Sequence, residues 1–238
     1  MTADVIHVRW RSSATLDAAA EEKLVRLLDR DECLEWQRKA IDADRKLYLL
    51  AHVLRRELIA DLTGYPSEHI RFSRGAYGKP LLVSPDIGAD LFFSLSHTDG
   101  LAIVAASRAG PVGIDAERRS RRIADAALKA VMSRGELDRI SRKGPEEGLR
   151  LWTLKEAYSK ALGLGLHLRF SDLDFSTGLS GSVDAPRGFH TWHGQEIPVG
   201  GDHIATLAYP VRRGRAVRIE TREPPEIPIA PQRHELRG

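Results

Sequence analysis

The sequence predicts an α+β protein built as two α+β halves in tandem, and three observations predict it. A stretch with helical periodicity occurs in each half of the chain, over 44–58 and 146–162. Short apolar strands bounded by turn residues accompany both. Ala109-Gly110-Pro111 breaks the chain between them. The halves are therefore set at 1–109 and 110–222. An extended tail follows over 223–238, carrying Pro224, Pro225, Pro228 and Pro231.

Taken in order, Val5-Ile6-His7-Val8-Arg9-Trp10 reads as a strand, and a helix is expected near 18–28. From Asp44 onward Leu47, Leu50, Ala51, Leu54 and Leu58 recur at helical spacing, so one face of this segment is apolar. Gly64 followed by Pro66 ends it. Ile70-Arg71-Phe72 is a short strand and Tyr77-Gly78-Lys79-Pro80 a turn. Leu91–Leu95 and Leu101–Ala105 form a hairpin around His97-Thr98-Asp99-Gly100. Past the break, Val112-Gly113-Ile114-Asp115 restarts a strand. Helices follow near 122–131, 134–142 and 146–162, with Gly163 as the C-terminal cap of the last. Strands are expected at Leu173–Phe175, Phe189–Trp192, His203–Tyr209 and Ala216–Glu220. No sequence repeat joins the halves.

Composition narrows the function. Of 238 residues, 36 are Lys or Arg and 33 Asp or Glu, a net charge of +3; with 42% hydrophobic residues the chain is neither disordered nor fibrous. So small an excess of positive charge, with no recognition module, argues against nucleic acid as a partner. No apolar run approaches the ~20 residues that span a bilayer, and no apolar leader opens the chain, so a cytoplasmic protein is expected. Cys33 stands alone, which excludes an internal disulfide or a Cys-rich zinc site.

Asp115 and Glu117 lie two residues apart on a strand, so their carboxylates share a face. A hard cation such as Mg²⁺ relieves that repulsion, but on spacing alone an exposed strand end is the better account. In the helix over 146–162, Trp152, Glu156 and Lys160 fall on one stripe beside Lys155. Taken alone, that pattern fits helix support and core packing better than a site. Ser133-Arg134-Gly135-Glu136 matches a capping box, which gives Glu136 a structural role beside any duty near a metal. Ser96-His97 lacks a nucleophile elbow, and its two side chains point to opposite faces of a strand. His97 is instead placed to meet a phosphate. The dense cluster at Arg118, Arg119, Arg121 and Arg122 is either a solvated surface or a dock for an acidic partner.

The order and spacing of these blocks say more than any one of them. Gly78-Lys79-Pro80, Phe93-Ser94-Leu95-Ser96-His97, Val112-Gly113-Ile114-Asp115-Ala116-Glu117 and Trp152-Thr153-Leu154-Lys155-Glu156-Ala157-Tyr158-Ser159-Lys160 together resemble the 4′-phosphopantetheinyl transferases of the Sfp type, over residues 40 to 175. The resemblance implies a monomer of two similar α+β halves related by pseudo-twofold symmetry. It implies transfer of the phosphopantetheine arm of coenzyme A to a serine of an acyl or peptidyl carrier protein, releasing adenosine 3′,5′-bisphosphate. The carriers of fatty-acid, polyketide and nonribosomal-peptide synthases all qualify, and the motifs do not choose among them.

By the same resemblance, Asp115, Glu117 and Glu156 are expected to hold Mg²⁺ or Mn²⁺. Glu156 is the candidate base for the carrier serine, Lys160 meets the phosphate of the leaving group, and Glu136 is a further acid near the metal. Arg45, Lys79, Ser96, His97 and Lys160 are expected to bind the coenzyme. Arg30 stands in for an N-terminal lysine, and Cys33 replaces a second basic residue, with Arg38 as its substitute. The cluster at 118–122 is the candidate contact with carrier or coenzyme. Of the alternatives, a non-catalytic carrier-binding relative predicts a broken acidic triad, whereas Asp115, Glu117 and Glu156 are all present. An unrelated nucleotidyl or phosphoryl transferase predicts a Gly-rich phosphate loop, which this chain lacks.

Overall fold

In the computed structural model, which describes residues 3–84, 91–178 and 186–223, the long amphipathic segment of the first half becomes the helix against which that half is built. Nine strands and six α-helices are described: β1 (Asp4–Ser12), α1 (Ala18–Val25), α2 (Arg30–Gln37), α3 (Asp42–Thr63), β2 (Arg71–Arg74), β3 (Pro80–Ser84), β4 (Phe92–Thr98), β5 (Leu101–Ser107), β6 (Gly113–Arg118), α4 (Asp125–Val131), α5 (Arg134–Lys143), α6 (Pro145–Leu162), β7 (Thr191–Ile197), β8 (His203–Val211) and β9 (Val217–Arg222). Helix ends follow local chemistry. Asp29 and Glu32 form a capping box at α2, and Ser133 and Glu136 form one at α5. Gly64 and Gly163 close α3 and α6 in the left-handed conformation, at φ 76° and 74°.

Both halves use one connectivity. β1, α3, β4 and β5 give the antiparallel order β4-β5-β1, and β6, α6, β7 and β8 give β7-β8-β6. β9 then returns to the first sheet and pairs parallel with β1. The last described strand thus belongs by its hydrogen bonds to the N-terminal sheet. Alternation along β5 fixes the layers. Ala102, Val104 and Ala106 face α3, while Leu101, Ile103 and Ala105 join Ile6 and Val8 in a core shared with Ile114, Ala116, Ala205 and Leu207 of the second sheet. On its far side that sheet lays Ala208 and Trp192 against Leu154, Ala157 and Tyr158 of α6. The result is helix, sheet, sheet, helix. None of the described helices is long and apolar enough to cross a membrane.

Three expectations change. Leu173–Phe175 forms no ladder, because side chains satisfy its backbone: Lys155 Nζ donates to Leu173 O at 2.7 Å, and Phe175 N–H donates to Glu136 Oε1 at 2.9 Å. The strand expected at 189–192 begins instead at Thr191. The hairpin turn narrows to Asp99-Gly100, with Gly100 at φ 87°, so His97 and Thr98 belong to β4. α2 and β3 are additional elements. The Pro-rich tail from Pro224 lies outside the described residues.

Candidate active site at the seam between the halves

β6 supplies the acids. Ile114 and Ala116 enter the shared core, so Asp115 and Glu117 turn to the opposite face, toward α6. Gly113 lets α6 come close: a Cβ there would lie 1.8 Å from Ala157 O and 2.4 Å from Ala161 N. The helix therefore rides directly over β6 and presents Lys160 to Asp115. Lys160 Nζ donates to Asp115 Oδ1 at 2.7 Å and to Ser96 Oγ at 2.9 Å, and Ser96 Oγ donates to the same Oδ1 at 2.8 Å. Ser94 ties the strands together by accepting Ile114 N–H at 3.1 Å. One strand from each half and the long helix of the second thus meet at three side chains.

Asp115 is buried, and its Oδ2 has no hydrogen-bond partner. Burial pushes the Glu156 carboxyl above its ordinary range and the charge of Asp115 adds to that, against the opposing pull of Lys160 and Arg121. Glu117 pairs with Arg121, whose guanidinium stands 5.5 Å from the Trp152 ring centroid. Among the described residues no three His, Cys, Asp or Glu side chains are gathered closely enough to hold a metal ion. The chemistry of the donors nevertheless suits a hard divalent cation. Asp115, Glu117 and Glu156 offer oxygens only, one buried acceptor lacks a partner, and burial together with the charge of Asp115 already raises Glu156.

A cleft of about 340 Å³ opens beside Lys160, walled by Tyr48, His52, Arg74, Lys79, Phe93 and Gly163. Lys79 reaches it, but its ammonium caps the end of α6, donating to Lys160 O at 2.7 Å and Ala161 O at 3.0 Å. Burial lowers its pKa to about 8. His97 is held below its ordinary value by burial, then by the charges of Lys160 and Lys39. Lys39 also stands 5.3 Å from the Tyr48 ring centroid. Sequence reasoning missed Lys39, Tyr48, His52 and Arg74. A signal existed for two of them, since Tyr48 and His52 sit one helical turn apart beside the apolar stripe of α3.

The other expected site residues have partners of their own. Arg45 pairs with Asp42 at 2.5 Å and Glu21 at 3.7 Å, with Trp36 beneath it. Arg30 lines a separate cleft with Arg26 and Arg71, and Arg38 pairs with Glu35 at 2.9 Å. Glu136 requires a correction. It is fully buried, with Oε2 accepting from Ser133 N at 2.7 Å and Lys155 Nζ at 2.8 Å and Oε1 from Phe175 N–H. Both oxygens are engaged in holding the second half together, so every contact that Glu136 makes is structural. In the arginine cluster, Arg118 pairs with Asp99, Arg119 with Glu146 and Arg121 with Glu117, so most of its charge is answered within the chain.

Comparison with known proteins adds an independent line. The family model described as the 4′-phosphopantetheinyl transferase superfamily matches residues 111–208, and one described as 4′-phosphopantetheinyl transferase, N-terminal, matches 12–109. The chain is similar to Sfp of Bacillus subtilis (strain 168), 32% identical over 65% of this chain and 67% of that protein. It is 32% identical to the transferase gsp of Aneurinibacillus migulanus over 50% of this chain, spanning about half of gsp, 49% of its length. To the human L-aminoadipate-semialdehyde dehydrogenase-phosphopantetheinyl transferase it is 30% identical over 71% of this chain and 60% of that protein. One model falls on each sheet-and-helix half and the seam between them carries the acids, so the chain belongs to the 4′-phosphopantetheinyl transferase superfamily of enzymes.

Proposed function

We propose that this protein moves the phosphopantetheine arm of coenzyme A onto a serine hydroxyl of an acyl or peptidyl carrier protein. The observation that carries the reading is the Ser96–Asp115–Lys160 contact, with its unpartnered Asp115 Oδ2, at the mouth of a cleft of about 340 Å³ rimmed by cations. The serine oxygen attacks the phosphorus that bears pantetheine. The P–O bond to the other phosphate breaks, and adenosine 3′,5′-bisphosphate leaves.

Each residue near the seam has a task in this scheme. Asp115, Glu117 and Glu156 would hold a divalent cation, which neutralises charge on the diphosphate oxygens. Lys160, tethered by Asp115 and Ser96, meets the negative charge that builds on the leaving phosphate. Glu156 takes the serine proton as the general base of the scheme. Lys39 and His97 face the phosphates from the first half. Lys79 serves indirectly by fixing the end of α6 and with it Lys160.

Intact-mass spectrometry of apo carrier proteins incubated with this protein, coenzyme A and Mg²⁺ tests the reading. A gain of one phosphopantetheine arm is expected, and it disappears with EDTA or when the carrier serine is replaced by alanine. Asp115→Ala abolishes it, and Lys160→Ala slows it about 10²- to 10³-fold. Near-normal turnover in Asp115→Ala overturns the assignment.

A further inference from the structure

The cleft beside Lys160 contains a group that the transfer chemistry does not use. His52 stacks on Tyr48 across one turn of α3, with ring centroids 3.9 Å apart and planes inclined by 24°. Its Nδ1 lies 3.2 Å from Glu32 Oε1 and 3.1 Å from Arg55 Nη2. A guanidinium only donates and a carboxylate only accepts, so Nδ1 serves one of them. Arg55 already donates to Glu32 Oε1. Arg56 Nε and Asp29 N–H donate to Oε2 at 2.8 and 2.9 Å. The carboxylate is therefore anionic in its place: burial pushes its pKa up, but the His52 hydrogen bond and the charges of Arg55 and Arg56 prevail and hold it at about 2. Beside an anionic oxygen, neutral imidazole turns its N–H inward.

That tautomer leaves Nε2 as a bare acceptor. It has no hydrogen-bond partner among the described residues, and it is not one of the buried unpaired atoms. His52 stands between two clefts: it walls that of Lys79 and Lys160, and with Glu32 and Arg55 it walls a neighbouring one. Burial lowers the imidazole pKa to about 4, so Nε2 keeps its lone pair at neutral pH. Phe93 and Pro80 give this cleft apolar walls suited to a flat base.

We propose that His52, oriented by Glu32, is a specificity residue that accepts a hydrogen bond from the exocyclic amine of a 6-aminopurine, and so selects the adenine nucleotide over its 6-oxo counterpart. This inference rests on the coenzyme reading of the cleft. A 6-oxopurine sets acceptor against acceptor, and a site built to bond an N–H discriminates against a ligand that lacks it.

The test compares coenzyme A with its deaminated, hypoxanthine-containing analogue, both in carrier modification and in calorimetric binding. The wild type is expected to favour coenzyme A on the order of 10- to 100-fold in kcat/KM. His52→Phe keeps a ring against Tyr48 and deletes the acceptor. His52→Leu removes the ring and the acceptor together. Both are expected to bring the preference within about 3-fold, the loss falling in KM for coenzyme A. Urea unfolding checks that each variant folds, and either one suffices. Equal use of both cofactors by the wild type, or an undiminished preference in a folded variant, overturns the inference and leaves the coenzyme reading intact. Failure of the wild type to bind coenzyme A overturns both.

Discussion

Glu136 and Lys155 form the most deeply buried ion pair of the described residues, each with a side chain 0% exposed. A buried pair endures only when its remaining valences are filled. Here they are, since the carbonyl oxygens of Val131, Phe170 and Leu173 also lie 3.0, 2.7 and 2.7 Å from Lys155 Nζ, so each of its three N–H groups has an acceptor. Adjacent residues in one motif thus divide the labour: Lys155 turns inward to pin the loop after α6, and Glu156 turns to the seam. Glu136→Gln leaves the ammonium buried without its counter-charge and is expected to cost about 3 kcal/mol in urea unfolding. The specific activity of the folded fraction should stay near wild type. A large fall in activity at unchanged stability would return Glu136 to the catalytic group.

At the scale of elements, the seam depends on how closely α6 approaches β6. Gly113→Ala places a methyl group 1.8 Å from Ala157 O, a backbone atom that moves only if the helix moves. The variant is expected to lose about 3 kcal/mol or more. At temperatures where it stays folded, transfer should fall about 100-fold, because Lys160 shifts away from the reacting phosphate. Thermal melts and initial rates check the two effects separately; a variant that melts like wild type would show that α6 is free to move. Which elements were legible follows the same division between local and distant causes. The stripe on α3 and the cap at Gly163 are local signals and were read in the sequence. α2 is short, and Cys33, Leu34 and Trp36 are too few apolar positions for periodicity to reveal it. Leu173-Asp174-Phe175 alternates like a strand, yet Lys155 and Glu136, distant in sequence, take up its backbone groups. The site divides likewise. The meeting of Ser96, Asp115 and Lys160 follows from motif order. The helix-capping duty of Lys79 and the pairing of Arg45 with Glu21 depend on partners that no local pattern names.

Over the whole molecule, the two halves share one apolar core and β9 crosses back to the first sheet, so neither can open without exposing the other. Acid provides the test, because its strongest target lies in one half only. His52 titrates near 4 in the folded protein and near 6.5 when unfolded, so the unfolded chain takes up the proton first as pH falls. Stability is therefore lost between about pH 6.5 and 4, on the order of 3 kcal/mol from this group at full titration. Glu32, held at about 2 against 4.5, contributes stability above 4.5 that is lost as pH falls toward 2. His7 and His97, both lowered chiefly by burial, act in the same direction as His52, while Glu57, raised by burial, opposes them. His52→Gln is expected to flatten the limb between pH 6.5 and 4, as read from urea midpoints at successive pH values. At pH 5 the wild type should still unfold in a single transition, with circular dichroism and tryptophan fluorescence giving one midpoint. Two separated midpoints would mean that the shared core does not couple the halves, and the seam would then be a contact between independently folding units.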